Sequence, residues 1–235
     1  MTGPEQLPLD LPVRSAMNAA DFVVSDSNRD AVAWLDRWPD WPGAALAIYG
    51  PAGCGKTHLA HVWRERVAQA GGTAHLLEPA ALDRLPAAGN LILDGLRLPE
   101  EHLFHLINHA RGSSLSLLIL DREPPARWPV RLPDLASRLA AIPAVGVLRP
   151  DDTLLAAVLA KHFADRQVEV SDEVITYLVS RIERSFVTAA TAARMLDRAS
   201  MSRGVAITLK LVRDVLNSAP DSISGSTPGS TSGDR

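Results

Sequence analysis

The sequence predicts an α/β protein in which helices sandwich a parallel sheet, followed by a smaller domain made only of helices. Short apolar runs alternate with helical stretches in the first part of the chain, a pattern typical of a parallel sheet covered on both faces. After Pro150 the apolar runs stop and helical patterns follow one another. A glycine-rich turn lies between the first predicted strand and the next helix, which is where a phosphate-binding loop must lie to function.

The strands and helices are predicted from hydrophobic period and from capping residues. The apolar runs that we assign to strands are residues 46–49, 73–77, 91–93, 115–120 and 145–148. The helices expected around them are residues 27–38, with Ser27 as N-cap, 56–70, 80–85, 100–111 and 132–141. The helices of the second domain are residues 151–165, 171–182, 185–203 and 208–217, with Asp151 and Ser171 as N-caps and Gly204 as the stop of the third.

Four segments are expected along the chain. Residues 1–15 contain three prolines and no helical period, so they are predicted to form an extended tail. Residues 16–149 form the predicted αβα domain, and residues 150–218 form the helical domain. From residue 219 to 235 the composition is dominated by Ser, Gly, Thr and Pro, which predicts a disordered tail.

Bulk composition narrows the class of protein. The 235 residues are 46% hydrophobic, enough for a sizeable core, and the formal net charge of −3 gives no general attraction to nucleic acid. No apolar run approaches the roughly 18 residues of a membrane span, and the N-terminus has no secretory pattern. The single cysteine, Cys54, excludes an internal disulfide and fits a reducing compartment. A cytoplasmic protein is expected.

A phosphate-binding loop is predicted by the pattern G-x-x-x-x-G-K-[ST]. Glycines let backbone N–H groups turn towards a phosphate with no Cβ in the way. The helix after the loop adds the positive end of its dipole. The residues that form the match are Gly50, Pro51, Ala52, Gly53, Cys54, Gly55, Lys56 and Thr57. A nucleotide is therefore the expected ligand, with Lys56 reaching its β- and γ-phosphate oxygens.

A magnesium ion beside those phosphates needs oxygen ligands from the protein. The Thr57 hydroxyl is one candidate, and Asp94, which directly follows the apolar run 91–93, is the other. An aspartate after a buried strand can also be a simple cap, so the metal site is a hypothesis. A self-sufficient ATPase usually has a second acid at the next position to orient the attacking water, but this chain has Gly95.

Several further segments carry a resemblance to a known family. They are Phe22–Val24 followed by Ser27 and Asn28, Gly55–Leu59 (GKTHL), Asp121–Pro125 (DREPP), Leu135–Leu139 (LASRL) and Leu196–Ser200 (LDRAS). Through them, residues 6–217 resemble the AAA+ module of the bacterial replication initiator DnaA. The resemblance is greatest to the Hda-type relatives, which lack the initiator's DNA-binding domain.

The resemblance implies a P-loop AAA+ parallel sheet, a small all-helical lid and bound ADP or ATP. It places His58 in the nucleotide site and the segment around Phe22–Val24 against the adenine. It also assigns Arg138 to an arginine finger that acts in trans on the ATP form of DnaA. Such a protein is a negative regulator of replication initiation, with weak or no ATPase activity of its own. Homo-oligomerisation stays open.

The segment QLPLDL at the start of the chain is similar to a peptide that binds the DNA polymerase III sliding clamp. An extended segment presents alternating leucines to an apolar groove while a glutamine makes directional hydrogen bonds. The residues are Gln6, Leu7, Leu9 and Leu11. An amphipathic tail that packs on its own domain is the competing interpretation. The helical domain has equal numbers of acidic and basic residues, so DNA is expected to be reached only through the clamp.

The chain also departs from the family pattern. The polar sensor I residue at the end of the fourth strand is expected at Leu120, and the sensor II arginine of the lid is expected at Val187. Arg184, one turn away, is a candidate replacement. Two other functions therefore stay open: an autonomous ATPase of the helicase-loader or clamp-loader type, and an adaptor without chemistry. For Arg138, a local ion pair with Asp134 is the competing structural role.

Overall fold

A computed structural model describes residues 23–78, 88–95 and 98–218. The chain divides into two compact units, which we call the core unit (Met1–Gly50 with Lys56–Val147) and the lid unit (Pro51–Gly55 with Leu148–Arg235). The predicted tails at residues 1–15 and 219–235 and the predicted helix 80–85 lie outside the described residues.

The core unit contains the expected parallel sheet. Its strands are β1 (Ala45–Tyr49), β2 (Ala74–Leu76), β3 (Ala88–Asp94), β4 (Ser114–Asp121) and β5 (Ala144–Gly146). They pair in parallel in the order β2-β3-β4-β1-β5. Residues of the central strands such as Leu46, Ile48 and Leu118 are fully buried, because helices cover both faces of a sheet of this type. The prediction of a parallel αβα sheet is confirmed.

Four α-helices accompany this sheet in the described part of the core unit. They are α1 (Arg29–Leu35), α2 (Lys56–Gln69), α3 (Glu100–Gly112) and α4 (Pro133–Ala140). Short 3-10 turns occupy Pro42–Ala44 and Pro125–Arg127. Pro133 begins α4 at the first helical position, where a missing N–H costs nothing.

Helix α1 is shorter than the predicted helix 27–38, and Ser27 is not its N-cap. The helix begins after Asn28, whose side chain turns back instead of capping it. Asn28 Oδ1 accepts the Ser25 N–H at 2.9 Å, and its Nδ2 donates to the Val23 carbonyl at 3.0 Å. These bonds hold residues 23–28 as a loop.

Indole rings fill the space between α1, α2 and the sheet. Trp41 stacks on Trp63 with ring centroids 5.2 Å apart, and Trp38 meets the same ring edge-on at 6.4 Å. Trp38 Nε1 donates to Ser116 Oγ at 3.0 Å, which ties this segment to β4. Trp63 itself is fully buried.

The lid unit contains four helices, α5 (Asp152–Ala164), α6 (Asp172–Arg181), α7 (Phe186–Arg203) and α8 (Leu209–Asn217). Asp151 and Ser171 cap α5 and α6 through their side chains, and Gly204 ends α7 in the left-handed conformation, all as predicted. Leu155, Phe163 and Leu178 are among the buried side chains that form one apolar cluster between the four helices. The expected all-helical lid domain is confirmed.

Candidate functional site

The phosphate loop connects β1 to α2 and adopts backbone conformations that require glycine. Gly53 has φ of +73° and Gly55 has φ of +104°, where L side chains are strained. Between them Cys54 is buried, whereas Ala52 on the other side of Gly53 is exposed. The loop that the sequence pattern predicts therefore has the geometry that its glycines permit.

Lys56 closes the loop at the start of α2. Its Nζ donates to the Gly50 carbonyl at 2.8 Å, six residues earlier in the chain. The Gly50 N–H in turn donates to the Asp121 carbonyl at 3.1 Å, so the beginning of the loop is fixed to the end of β4. The ammonium group thus lies at the mouth of the loop, where it can meet phosphate oxygens.

The two residues predicted to hold magnesium lie together. The Thr57 hydroxyl donates to Asp94 Oδ2 at 3.2 Å, although the two residues are 37 apart in sequence. Asp94 ends β3, and both side chains are exposed. A hydroxyl and a carboxylate are hard oxygen donors, which fit Mg²⁺ bound through few protein ligands and through phosphate. His58 is exposed in the first turn of the same helix.

The groups that activate water in an ATPase are missing next to this pair. Gly95 follows Asp94 with φ of +61°, so an acidic side chain there would also strain the backbone. Leu120 stands opposite Asp94 in the register of β3 and β4, and it is fully buried. The next residue, Asp121, is a buried carboxylate that sequence reasoning treated only as part of a turn. Its position at the end of an apolar run was a usable signal.

Arg138 lies in the last turn of α4, half-buried, with its guanidinium 5.0 Å from the centre of the Phe104 ring. Within the described residues it forms no ion pair with Asp134, the structural alternative considered from sequence. Glu100, one turn before Phe104 on α3, accepts the backbone N–H groups of Arg131 and Leu132, each at 2.9 Å. Helix α3 thus fixes both the entry to α4 and the arginine near its end. The sequence gave no signal for either contact.

In the lid unit, the first turn of α7 packs against the loop residues Pro51–Gly55. The Phe186 N–H donates to the Gly53 carbonyl at 3.0 Å. A Cβ on Gly53 would come within 2.1 Å of Ser185 Oγ, and one on Gly55 within 2.8 Å of the Phe186 ring. Both glycines are therefore required for close packing as well as for backbone conformation.

The two sensor candidates of the lid are placed differently from each other. Val187 is 65% exposed on the first turn of α7. Arg184 pairs with Asp152 at 2.9 Å within the lid, so its charge already has a partner.

The predicted clamp peptide, with Gln6, Leu7, Leu9 and Leu11, lies outside the described residues, as does Phe22. Among residues 23–78, 88–95 and 98–218, no helix is long and apolar enough to cross a bilayer. The same residues contain no cluster of three or more His, Cys, Asp or Glu side chains suited to a metal ion. A magnesium site would therefore depend on phosphate oxygens in addition to Thr57 and Asp94.

Solved structures share this fold. Domain III of the replication initiation protein DnaA from Thermotoga maritima superimposes with a TM-score of 0.72 at 18% identity, over 84% of this chain and 94% of that one. AMPPCP-bound DnaA from Aquifex aeolicus gives a TM-score of 0.61 at 17% identity, over 82% of this chain and 68% of that one. The strand order, the loop after β1 and the helical lid define a P-loop protein of the AAA+ class.

The lid narrows this class. Residues 151–216 match the family described as the Hda lid domain. The chain is an Hda-type, DnaA-related AAA+ protein. An uncharacterised protein of Haemophilus influenzae is 28% identical over 187 residues, which cover 72% of this chain and 80% of that protein.

Proposed function

We propose that this protein is a negative regulator of replication initiation that stimulates hydrolysis of ATP bound to DnaA. It binds ADP or ATP at its own phosphate loop, docks on the DNA-loaded sliding clamp through Gln6, Leu7, Leu9 and Leu11, and presents Arg138 to the partner's nucleotide. The Hda-type lid and the DnaA-like fold support the choice of partner.

The observation that carries the proposal is the state of Arg138. A guanidinium that already pairs with a carboxylate must break that pair to act elsewhere, and breaking a partly buried pair is costly. Arg138 instead rests on an aromatic face, an interaction worth about 0.5–2 kcal/mol. It can leave that ring for a phosphate at a small cost.

The proposed chemistry takes place on the partner. Arg138 stabilises the negative charge that develops on the γ-phosphoryl oxygens of ATP held by DnaA, as arginine fingers do. Its planar fork of N–H donors matches phosphate oxygens in a way that a lysine ammonium does not.

The protein's own nucleotide has a structural role in this proposal. Backbone N–H groups of the loop and Lys56 hold its phosphates, while Thr57 and Asp94 hold Mg²⁺. Magnesium neutralises phosphate charge when bound. The strained position of Gly95 and the buried Leu120 leave no acid and no polar sensor beside that site, which supports weak intrinsic turnover.

The test measures hydrolysis of ATP pre-bound to DnaA, with DNA-loaded clamp, in the presence of wild type, Arg138→Ala or a Gln6→Ala/Leu7→Ala double variant. We expect wild type to accelerate hydrolysis and both variants to fail. Arg131→Ala is the matched control, because Arg131 is an exposed arginine near α4 whose only contact given above is made by its backbone.

Three results would contradict the proposal. Acceleration by wild type no greater than that by clamp alone would remove the regulatory function. Full activity of Arg138→Ala would favour the adaptor. Free-ATP turnover by the isolated protein, abolished by Lys56→Ala, would favour the autonomous ATPase.

A further inference from the structure

The first turn of α7 contains polar groups that have no partner within the lid. Ser185 is only 6% exposed, yet it does not cap the helix, and its hydroxyl makes no hydrogen bond among the described residues. A buried hydroxyl without a partner costs free energy, roughly 1–3 kcal/mol in protein mutational data. Such a group in a folded protein calls for a ligand.

The backbone of the same turn has donors to spare. The Phe186 N–H is taken by the Gly53 carbonyl, and the Ala189 N–H by the Ser185 carbonyl. The N–H groups of Val187 and Thr188 make no hydrogen bond among the described residues. They lie at the positive end of an 18-residue helix, where an anion is stabilised.

These groups lie directly on the phosphate loop. Ser185 Oγ stands 2.1 Å from where a Cβ of Gly53 would be, and the Phe186 ring lies against Gly55. The Ser185 hydroxyl therefore touches the middle of the loop, whose backbone N–H groups bind the α- and β-phosphates in proteins of this class.

We propose that the first turn of α7 is a second binding element for the β-phosphate of the nucleotide, formed by the Ser185 hydroxyl and the N–H groups of Val187 and Thr188. This inference rests on the proposed nucleotide binding. It assigns to neutral donors the place that an arginine would take at Val187, since Arg184 is held by Asp152. Neutral donors satisfy a diphosphate without adding a positive charge that would favour a third phosphate.

The experiment measures the affinities of the full-length protein for ADP and for AMP by calorimetric titration. Ser185→Ala removes the hydroxyl and adds no bulk near Gly53. We expect ADP affinity to fall about tenfold, the value of one hydrogen bond to a charged group, with AMP affinity unchanged. Ser180→Ala is the matched control, because Ser180 is an exposed lid serine whose Oγ donates to the Tyr177 carbonyl.

A second variant tests the backbone donors independently. Val187→Pro removes one N–H, and proline is tolerated in the first turn of a helix. Val187 is exposed, so its side chain is not needed for packing. We expect a similar selective loss of ADP affinity. Glu173→Pro, at the equivalent position of α6, is the control that should bind ADP as wild type does.

ADP affinity within twofold of wild type in either folded variant would overturn the inference, and so would equal losses for ADP and AMP. Lys56→Ala separates the two levels of the argument. If Lys56→Ala also leaves ADP affinity unchanged, the nucleotide-binding proposal itself fails.

Discussion

The two sets of chemical groups in the core unit are held in opposite ways. Lys56, Thr57 and Asp94 are tied to the loop or to one another by hydrogen bonds of 2.8 and 3.2 Å. Arg138 touches an aromatic ring and, within the described residues, no acid. Groups that are organised among themselves suit a ligand that stays bound. A cation resting on a ring suits a partner that comes and goes. The comparison teaches that one AAA+ fold can retain a nucleotide site while its reactive group faces another protein.

The largest expected effect breaks the comparison on the Arg138 side. Arg138→Ala should lower the stimulated hydrolysis of DnaA-bound ATP by about 10³, the lower end of the range for arginine fingers, while ADP affinity stays unchanged. Single-turnover hydrolysis and an ADP titration measure the two quantities. Arg138→Lys should restore little, because an ammonium lacks the planar fork. Full rescue by lysine would show that only charge matters.

The next effect concerns the two roles of glycine in the loop. Gly53→Ala should destabilise the protein by about 2 kcal/mol or more, because the new Cβ meets Ser185 Oγ in a left-handed backbone. Gly204→Ala is the matched comparison, since Gly204 has φ of +62° and open space around it. It should cost only about 1 kcal/mol of backbone strain. Denaturant unfolding measures both, and equal losses would show that the contact with Ser185 has no cost.

A smaller effect tests the paired oxygens. Asp94→Asn should remove most of the gain in nucleotide affinity that Mg²⁺ provides, about tenfold, and leave the affinity in EDTA unchanged. Titrations with and without Mg²⁺ give this ratio. Asp121→Asn, one strand away, should keep the ratio of wild type. A loss of affinity in EDTA as well would mean that Asp94 supports the loop and not the metal.

The smallest effect concerns the lid. Burial lowers the pKa of His162 from its ordinary 6.5, and the charges of Arg166 and Lys161 add to this while Asp165 opposes it. The unfolded chain therefore binds the proton more readily than the folded lid. Lid stability should be unaffected above pH 6.5 and should decrease as the pH falls from that value towards the folded pKa. His162→Gln should remove this slope in thermal unfolding between about pH 7 and 5. An unchanged slope would assign it to other groups.

Sequence reasoning recovered what local patterns encode. The strands are continuous apolar runs, and the helices of the lid begin at capping residues such as Asp151 and end at Gly204, so their positions are written locally. Helix α1 was the exception. The Asn28 side chain bonds backwards to Val23, a choice between two local hydrogen-bond patterns that composition does not decide.

The candidate site was predictable where one motif contains it and not where distant segments meet. The loop glycines and Lys56 lie in a single motif, and Asp94 follows from the strand before it. The contacts of Arg138 with Phe104 and of Ser185 with Gly53 join residues far apart in sequence. Packing decides such contacts, and no spacing rule reports them.

The indole cluster described above makes the two units spectroscopically separable. All five tryptophans of the chain belong to the core unit, whereas the lid unit has Tyr177 and no tryptophan. Trp63, fully buried and stacked on Trp41, lies on α2, the helix that begins at Lys56. Indole emission excited at the red edge of its absorption therefore follows the helix behind the phosphate loop, free of any lid signal. The protein carries its own optical reporter of events at that loop.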